Sequence, residues 1–109
     1  TKASLYDIAD HDALKKEIET ADILVNTTGI GMKPLEGKSL IPDESFLRAD
    51  LVVCDTIYSP LYTKLLEQAQ NVGAQTVTGL GMMLWQGAKA FELWTGQEMP
   101  IEAIKEQLF

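Results

Sequence analysis

Two unbroken apolar runs, Ile23-Leu24-Val25 and Leu51-Val52-Val53-Cys54, each stop at a polar cluster, and they restrict this chain more than any other feature. Consecutive apolar residues without polar alternation predict strands of a parallel sheet with both faces covered. A third run, Ala74-Gln75-Thr76-Val77-Thr78, reads as a short strand ending at Gly79, and Ala3-Ser4-Leu5-Tyr6 is a strand candidate ending at Asp7. Helical signals fill the intervals. Asp10 is placed to cap a helix running through Leu14, Ile18 and Thr20, and a second helix spans about Thr63 to Gln70, closed by Asn71 and Gly73. A third begins near Met82, where Met83, Gly87, Ala90, Phe91 and Trp94 recur at helical spacing, and Pro100 opens a last helix from Ile101 to Leu108. Strands alternating with helices predict an α/β layer sandwich with a mostly parallel sheet.

Composition narrows the function classes. The 109 residues are one domain or part of one, and 46% of them are hydrophobic, enough for a modest core. A formal charge of −7 with no Lys/Arg cluster argues against a nucleic-acid surface. No run approaches the ~18 apolar residues of a membrane span, and Thr1-Lys2-Ala3-Ser4 is not a signal peptide, so the expectation is a cytoplasmic protein. Cys54, the single cysteine, reads as a small core residue and excludes internal disulfides and cysteine metal sites; no metal is expected. His11, the single histidine, sits at a helix start among Asp10, Asp12 and Ala13, which argues against a Ser-His-Asp or Cys-His hydrolase.

In parallel α/β sheets, ligands bind beyond the carboxyl ends of the strands. That rule selects three segments: Asn26 to Gly29, Asp55 to Tyr58, and Gly79 to Gly81. Asn26, Thr27 and Thr28 offer donors and acceptors, Tyr58 a phenolic hydroxyl, and Gln86 an amide one turn into the third helix. Each has an ordinary reading as well: Asn and Thr make turns, Asp55 can cap a loop, and Tyr58 can be packing. Gly79 and Gly81 fall where strand turns into helix, which permits positive φ or close approach of a ligand to the backbone. This is not the dinucleotide fingerprint, because the third glycine is replaced by Leu84. The segment with Gly31, Pro34, Gly37 and Pro42 is long and irregular, with a short helix around Ser45-Phe46-Leu47, and that length suggests a functional loop.

Together, Ala21-Asp22-Ile23-Leu24-Val25-Asn26-Thr27-Thr28, Gly31-Met32, Asp55-Thr56-Ile57-Tyr58-Ser59-Pro60, and Gly79-Leu80-Gly81-Met82 with Gln86 and Phe91 resemble the shikimate dehydrogenase family. The likeness covers essentially the whole chain, and Leu93-Trp94-Thr95-Gly96 is similar to the quinate/shikimate dehydrogenase branch. The resemblance implies NADP(H)-dependent reduction of 3-dehydroshikimate to shikimate in the chorismate pathway to aromatic amino acids, with NAD as the alternative cofactor and quinate as the alternative substrate. It implies that residues 1–109 are the C-terminal part of a Rossmann-like dinucleotide-binding domain, an incomplete layer sandwich lacking its first two strands. The glycine-rich phosphate loop and the N-terminal domain with the catalytic Lys and Asp would lie outside the chain, leaving no catalytic residue here and an inactive fragment.

The family's roles carry over to the matching positions. Asn26, Thr27, Thr28 and Gly29 would border the cofactor, Thr56 and Ile57 would lie beside the nicotinamide, and Gly79 would meet that ring with its backbone. Tyr58 and Gln86 would hydrogen-bond the substrate. Gly29 stands where relatives carry varied side chains, and Thr56 where many carry an apolar one. With the first two strands absent, Ile23 to Val25 is expected to expose an edge that either re-pairs with the Leu5-Tyr6 strand or associates with a second copy. Two other classes fit the α/β pattern: a receiver-like signalling module with Asp55 as phosphoacceptor, and a non-catalytic interaction domain. A receiver also needs an acidic pair after its first strand and a Lys after its last, where Thr78-Gly79 stands.

Overall fold

The computed structural model describes residues 2–108, which divide into two compact units, one up to Gly79 and one from Leu80 onward. The first unit is built on a three-stranded parallel sheet of β1 (Ile23–Asn26), β2 (Val52–Asp55) and β3 (Gln75–Val77), with β2 in the centre. Helices α1 (His11–Thr20) and α2 (Lys64–Asn71) and the 3₁₀ turn η1 (Glu44–Phe46) complete it. The second unit consists of α3 (Leu80–Thr95) and α4 (Ile101–Leu108).

Local chemistry explains where the elements begin. Asp10 accepts from the Ala13 amide at 3.0 Å and starts α1, and Thr63 accepts from the Leu66 amide at 3.4 Å and starts α2. In α2, Leu65, Leu66 and Ala69 fall on one side and join Ile18 of α1, Leu51, Val53 and Ala74 in a single core. Leu51, Val53 and Leu66 are fully buried. Residues Ile41 and Leu47, either side of η1, are buried in the same core, so the long β1–β2 connection supplies part of the hydrophobic interior.

The register shows which sheet face is covered. Leu24, Val53 and Thr76 stand side by side on the face that meets the core. On the opposite face Val25, Cys54 and Val77 are aligned, and Ile23, Val25 and Val77 are 58%, 48% and 44% exposed. The expectation that these runs are covered on both faces therefore holds for β2 far better than for β1. The physical reason is that α1 and α2 both pack into the core on one side of the sheet. Cys54 is half-buried on the opposite face and outside that core.

Residues 3–6 form no strand. Without a neighbouring ladder an extended segment has no backbone partners to fix it, and Leu5 is 95% exposed while Tyr6 donates its hydroxyl to Glu17 Oε1 at 2.9 Å. The segment does not pair with β1, so the expected re-pairing is not found. In the second unit α3 starts two residues earlier than Met82, and its buried residues are Leu84 and Ala88. Met83, Gly87, Ala90 and Phe91 are half-buried beside them, whereas Trp94 is 84% exposed and is not part of a covered face.

Candidate functional site

Both strands with polar ends deliver a buried side chain to the same place. Asn26 closes β1 and Asp55 closes β2, they are paired in the register, and they are 4% and 3% exposed. The Asn26 amide Nδ2 donates to Asp55 Oδ1 at 3.1 Å and to the Ile30 carbonyl at 3.2 Å. Its Oδ1 accepts from the Thr28 amide at 3.0 Å and the Thr28 hydroxyl at 2.7 Å. With two donors and an acceptor all engaged, this side chain shapes the turn after β1. Asp55 accepts a second bond at Oδ1 from the Ile57 amide at 3.0 Å, and its Oδ2 accepts from the Thr63 hydroxyl at 2.7 Å. Such full pairing is what makes a carboxylate tolerable in the interior.

The backbone ties the same loops together. Thr56 donates both its amide, at 3.1 Å, and its hydroxyl, at 3.0 Å, to the Asn26 carbonyl. Gly79 donates its amide to the Ile57 carbonyl at 3.2 Å. A Cβ at position 79 would lie 2.4 Å from the Thr56 carbonyl oxygen and 2.5 Å from that of Ile57, both unyielding backbone atoms, so glycine is required by close approach. Gly31 is required for a different reason. Its φ is +115°, and a Cβ there would press on Ile57 and Thr63 at 3.3 Å.

These loops enclose a cavity of about 290 Å³ lined by Thr28, Gly29, Met32, Thr56, Ile57, Tyr58 and Ser59. Five of the residues selected from the sequence thus share one cavity: Thr28, Gly29, Thr56, Ile57 and Tyr58. Asn26 lies buried within the frame, and Thr27 is exposed and lines no part of the cavity. Gly29 has open space around it, and a Cβ there would meet nothing within 4 Å. Tyr58 is 51% exposed. Gln86 stands exposed on α3 in the second unit, with its amide Nε2 donating to the Met83 carbonyl at 2.9 Å. Gly81, expected to share the role of Gly79, is an uncrowded residue inside α3 without positive φ. Met32 and Ser59 belong to the quoted motifs but were assigned no role there. Thr63 carries a helix-start signal, yet its bond to Asp55 spans eight residues and no local pattern reveals it.

A larger cavity of about 630 Å³ lies in the second unit between α3 and α4, with Trp85, Lys89, Glu92, Met99 and Ile101 in its walls. Lys89 pairs with Glu92 at 2.8 Å, and that hydrogen bond and charge hold the ammonium above the usual lysine range. None of the residues selected from the sequence lines it. The receiver reading loses its phosphoacceptor, because Asp55 is buried and both oxygens are engaged.

A family model described as the shikimate 5'-dehydrogenase C-terminal domain matches residues 79–109. The chain is 57% identical over 108 residues to the shikimate dehydrogenase (NADP(+)) of Listeria monocytogenes, covering 99% of this chain and 37% of the relative. It is 56% identical over 110 residues to the enzyme of the same name from Streptococcus uberis, covering 100% of this chain and 37% of the relative. The crystal structure of shikimate 5-dehydrogenase from Listeria monocytogenes in complex with shikimate and NAD superposes with a TM-score of 0.93 at 57% identity, over 99% of this chain and 37% of that one. Quinate dehydrogenase from Corynebacterium glutamicum in complex with NAD gives 0.77 at 34% identity, over 88% and 33%. The chain thus spans 37% of the length of the curated relatives it matches, and it is related over essentially all its own length to the shikimate dehydrogenases, with the α/β architecture of their Rossmann-like domain.

Proposed function

We propose that this chain is the cofactor-side part of a shikimate dehydrogenase, residues 1–109 forming the C-terminal part of its nicotinamide-dinucleotide-binding domain. The observation that carries the reading is the cavity beyond β1 and β2, which gathers Thr28, Gly29, Thr56, Ile57 and Tyr58. Relatives' names support both parts of the chemistry: one complex holds shikimate and NAD, and another shikimate dehydrogenase structure holds NADP+. The site fits one ring of such a cofactor. At about 290 Å³ it is near the lower limit of small-molecule pockets, roughly 300 Å³, too small for a whole dinucleotide.

The nicotinamide, when bound, supplies or accepts the hydride. This chain's residues position it. Thr28 and Gly29 border the cofactor, and Asn26 holds Thr28 in place through its amide and its hydroxyl. Thr27, exposed on the same turn, borders it from outside the cavity. Thr56 and Ile57 lie beside the ring, and the Thr56 hydroxyl is already used on the Asn26 carbonyl, so threonine serves where an apolar residue is common in the family. Gly79 lines no part of the cavity; having no side chain, it lets its backbone come close to that of Thr56 and Ile57, and in this reading it meets the ring with its backbone. Tyr58 and Gln86, each from its own unit, would hydrogen-bond the substrate's hydroxyl or carboxylate groups and so would help orient it for the transfer. Proton transfer belongs to the part of the enzyme that the relatives have beyond these residues.

The test is steady-state assay of the full-length protein with shikimate or quinate and NADP or NAD. Turnover of shikimate with NADP above the other three combinations is expected, while the 109-residue protein alone turns over none. Absence of turnover with all four pairs in the folded full-length protein overturns the reading. Turnover by the 109 residues alone overturns the assignment of catalysis to the rest of the enzyme.

A further inference from the structure

We propose that Asp55 is the positioning residue of this cofactor site, fixing through Asn26, Ile57 and Thr63 the spacing of the loops that wall the cavity; the proposal rests on the nicotinamide reading above. Asp55 is 3% exposed and lines no part of the cavity, so any effect it has on a bound ring is transmitted through other groups. Its two oxygens take three donors from three separate places. Asn26 comes from the end of β1, the Ile57 amide from the loop after β2, and the Thr63 hydroxyl from the start of α2.

Each donor leads directly to a wall. Asn26 Oδ1 holds both polar groups of Thr28, the wall on the β1 side. Ile57 is itself a wall and carries the carbonyl that receives the Gly79 amide. Thr63 and Ile57 together bound the space above Gly31, the residue preceding Met32 in the wall. A single carboxylate therefore sets the distance between Thr28 and Ile57 across the cavity. A carboxylate suits this task because it accepts on every lone pair, whereas an amide in its place offers two protons toward the Thr63 hydroxyl. A buried acid kept only for stability would affect melting without changing affinity for the ring.

The experiment uses the full-length enzyme and its variants Asp55→Asn, Thr63→Val and Thr63→Ser, all assayed at a temperature where circular dichroism shows them folded. Direct titration with NADP is expected to give a Kd about tenfold higher for Asp55→Asn and for Thr63→Val, the scale of one hydrogen bond to a charged group. At saturating cofactor kcat should fall less than threefold, and Thr63→Ser, which keeps the hydroxyl, should restore Kd to within about twofold of wild type. If Asp55→Asn does not fold, the two Thr63 variants decide alone. A Kd within twofold of wild type in folded Asp55→Asn and Thr63→Val, or a fall in kcat with Kd unchanged, overturns the positioning role. Failure of the wild-type enzyme itself to bind NADP or NAD overturns the site reading as well, so the two failures are separable.

Discussion

Gly79 is the glycine at which an added Cβ would meet the backbone most closely. An added methyl would meet the Thr56 carbonyl oxygen at 2.4 Å, and neither that atom nor its neighbours can rotate away. Gly79→Ala should therefore destabilise the first unit by about 1 to 3 kcal/mol, read as a lower urea midpoint at unchanged slope. An unchanged midpoint would mean that the loops after β2 and β3 separate freely. Tyr58 and Gln86 are exposed and carry no such constraint, so their substitution should spare stability. In the full-length enzyme Tyr58→Phe and Gln86→Ala should each cost about 1 to 3 kcal/mol in kcat/KM for shikimate, roughly five- to 150-fold, with cofactor affinity little changed. A defect confined to cofactor affinity would reassign either residue. Much of the site was legible at this scale because polar residues at strand ends have few reasons to interrupt an apolar run. Thr63 was not, since a side-chain bond across eight residues depends on how the loop folds back.

At the scale of elements, two capping arrangements show how sequence signals divide into local and distant ones. Asp43 before η1 is local: its Oδ1 accepts from the Ser45 amide at 2.7 Å, and this bond holds the carboxyl below the ordinary aspartate range. A depressed folded-state pKa means the contribution is present above the unfolded value, about 3.9, and is lost as pH falls through the folded one. Following the Ser45 amide by NMR during acid titration should give a midpoint below 3.9; an ordinary midpoint would show that the cap is not formed. Arg48 is the distant case. The last turn of α1 has no basic residue, and Arg48 supplies one from 30 residues away, donating to the Ile18 and Ala21 carbonyls while its Nε pairs with Asp50 at 2.7 Å. Arg48→Met should cost about 1 to 3 kcal/mol of stability in thermal or urea unfolding, and a cost near zero would mean that water serves those carbonyls equally well. The Asp10, Asp43 and Thr63 caps lie within three residues of the amides they serve. The use of Arg48 cannot be read that way, and neither can the open face of β1, because apolar continuity records what a strand is suited to and not what covers it.

For the molecule as a whole, the open edge of the sheet is the consequential feature. Among the described residues β1 has β2 as its only neighbour, and the bonds from the Val52 and Thr56 amides to the Asp22 and Asn26 carbonyls show which residues face inward. In a parallel strand the N–H and C=O of one residue point the same way and alternate along the chain, so Ile23 and Val25 turn theirs away from β2. The side chains of the same two residues are 58% and 48% exposed, on the sheet face that also shows Val77. A bare edge beside apolar side chains is a template for pairing, and residues 3–6 do not cover it. A protein of these 109 residues is therefore expected to associate through β1, strand against strand in a two-fold pair, since that arrangement satisfies both copies' outward groups at once. Sedimentation across a hundredfold concentration range should show the mass rising toward that of a dimer, and the Val25 amide should become protected from solvent exchange in step with it. Protection that does not depend on concentration would point to cover within one chain. A monomer at all concentrations with a freely exchanging Val25 would show that water satisfies the outward groups of β1 well enough, and that the −7 net charge keeps two such edges apart.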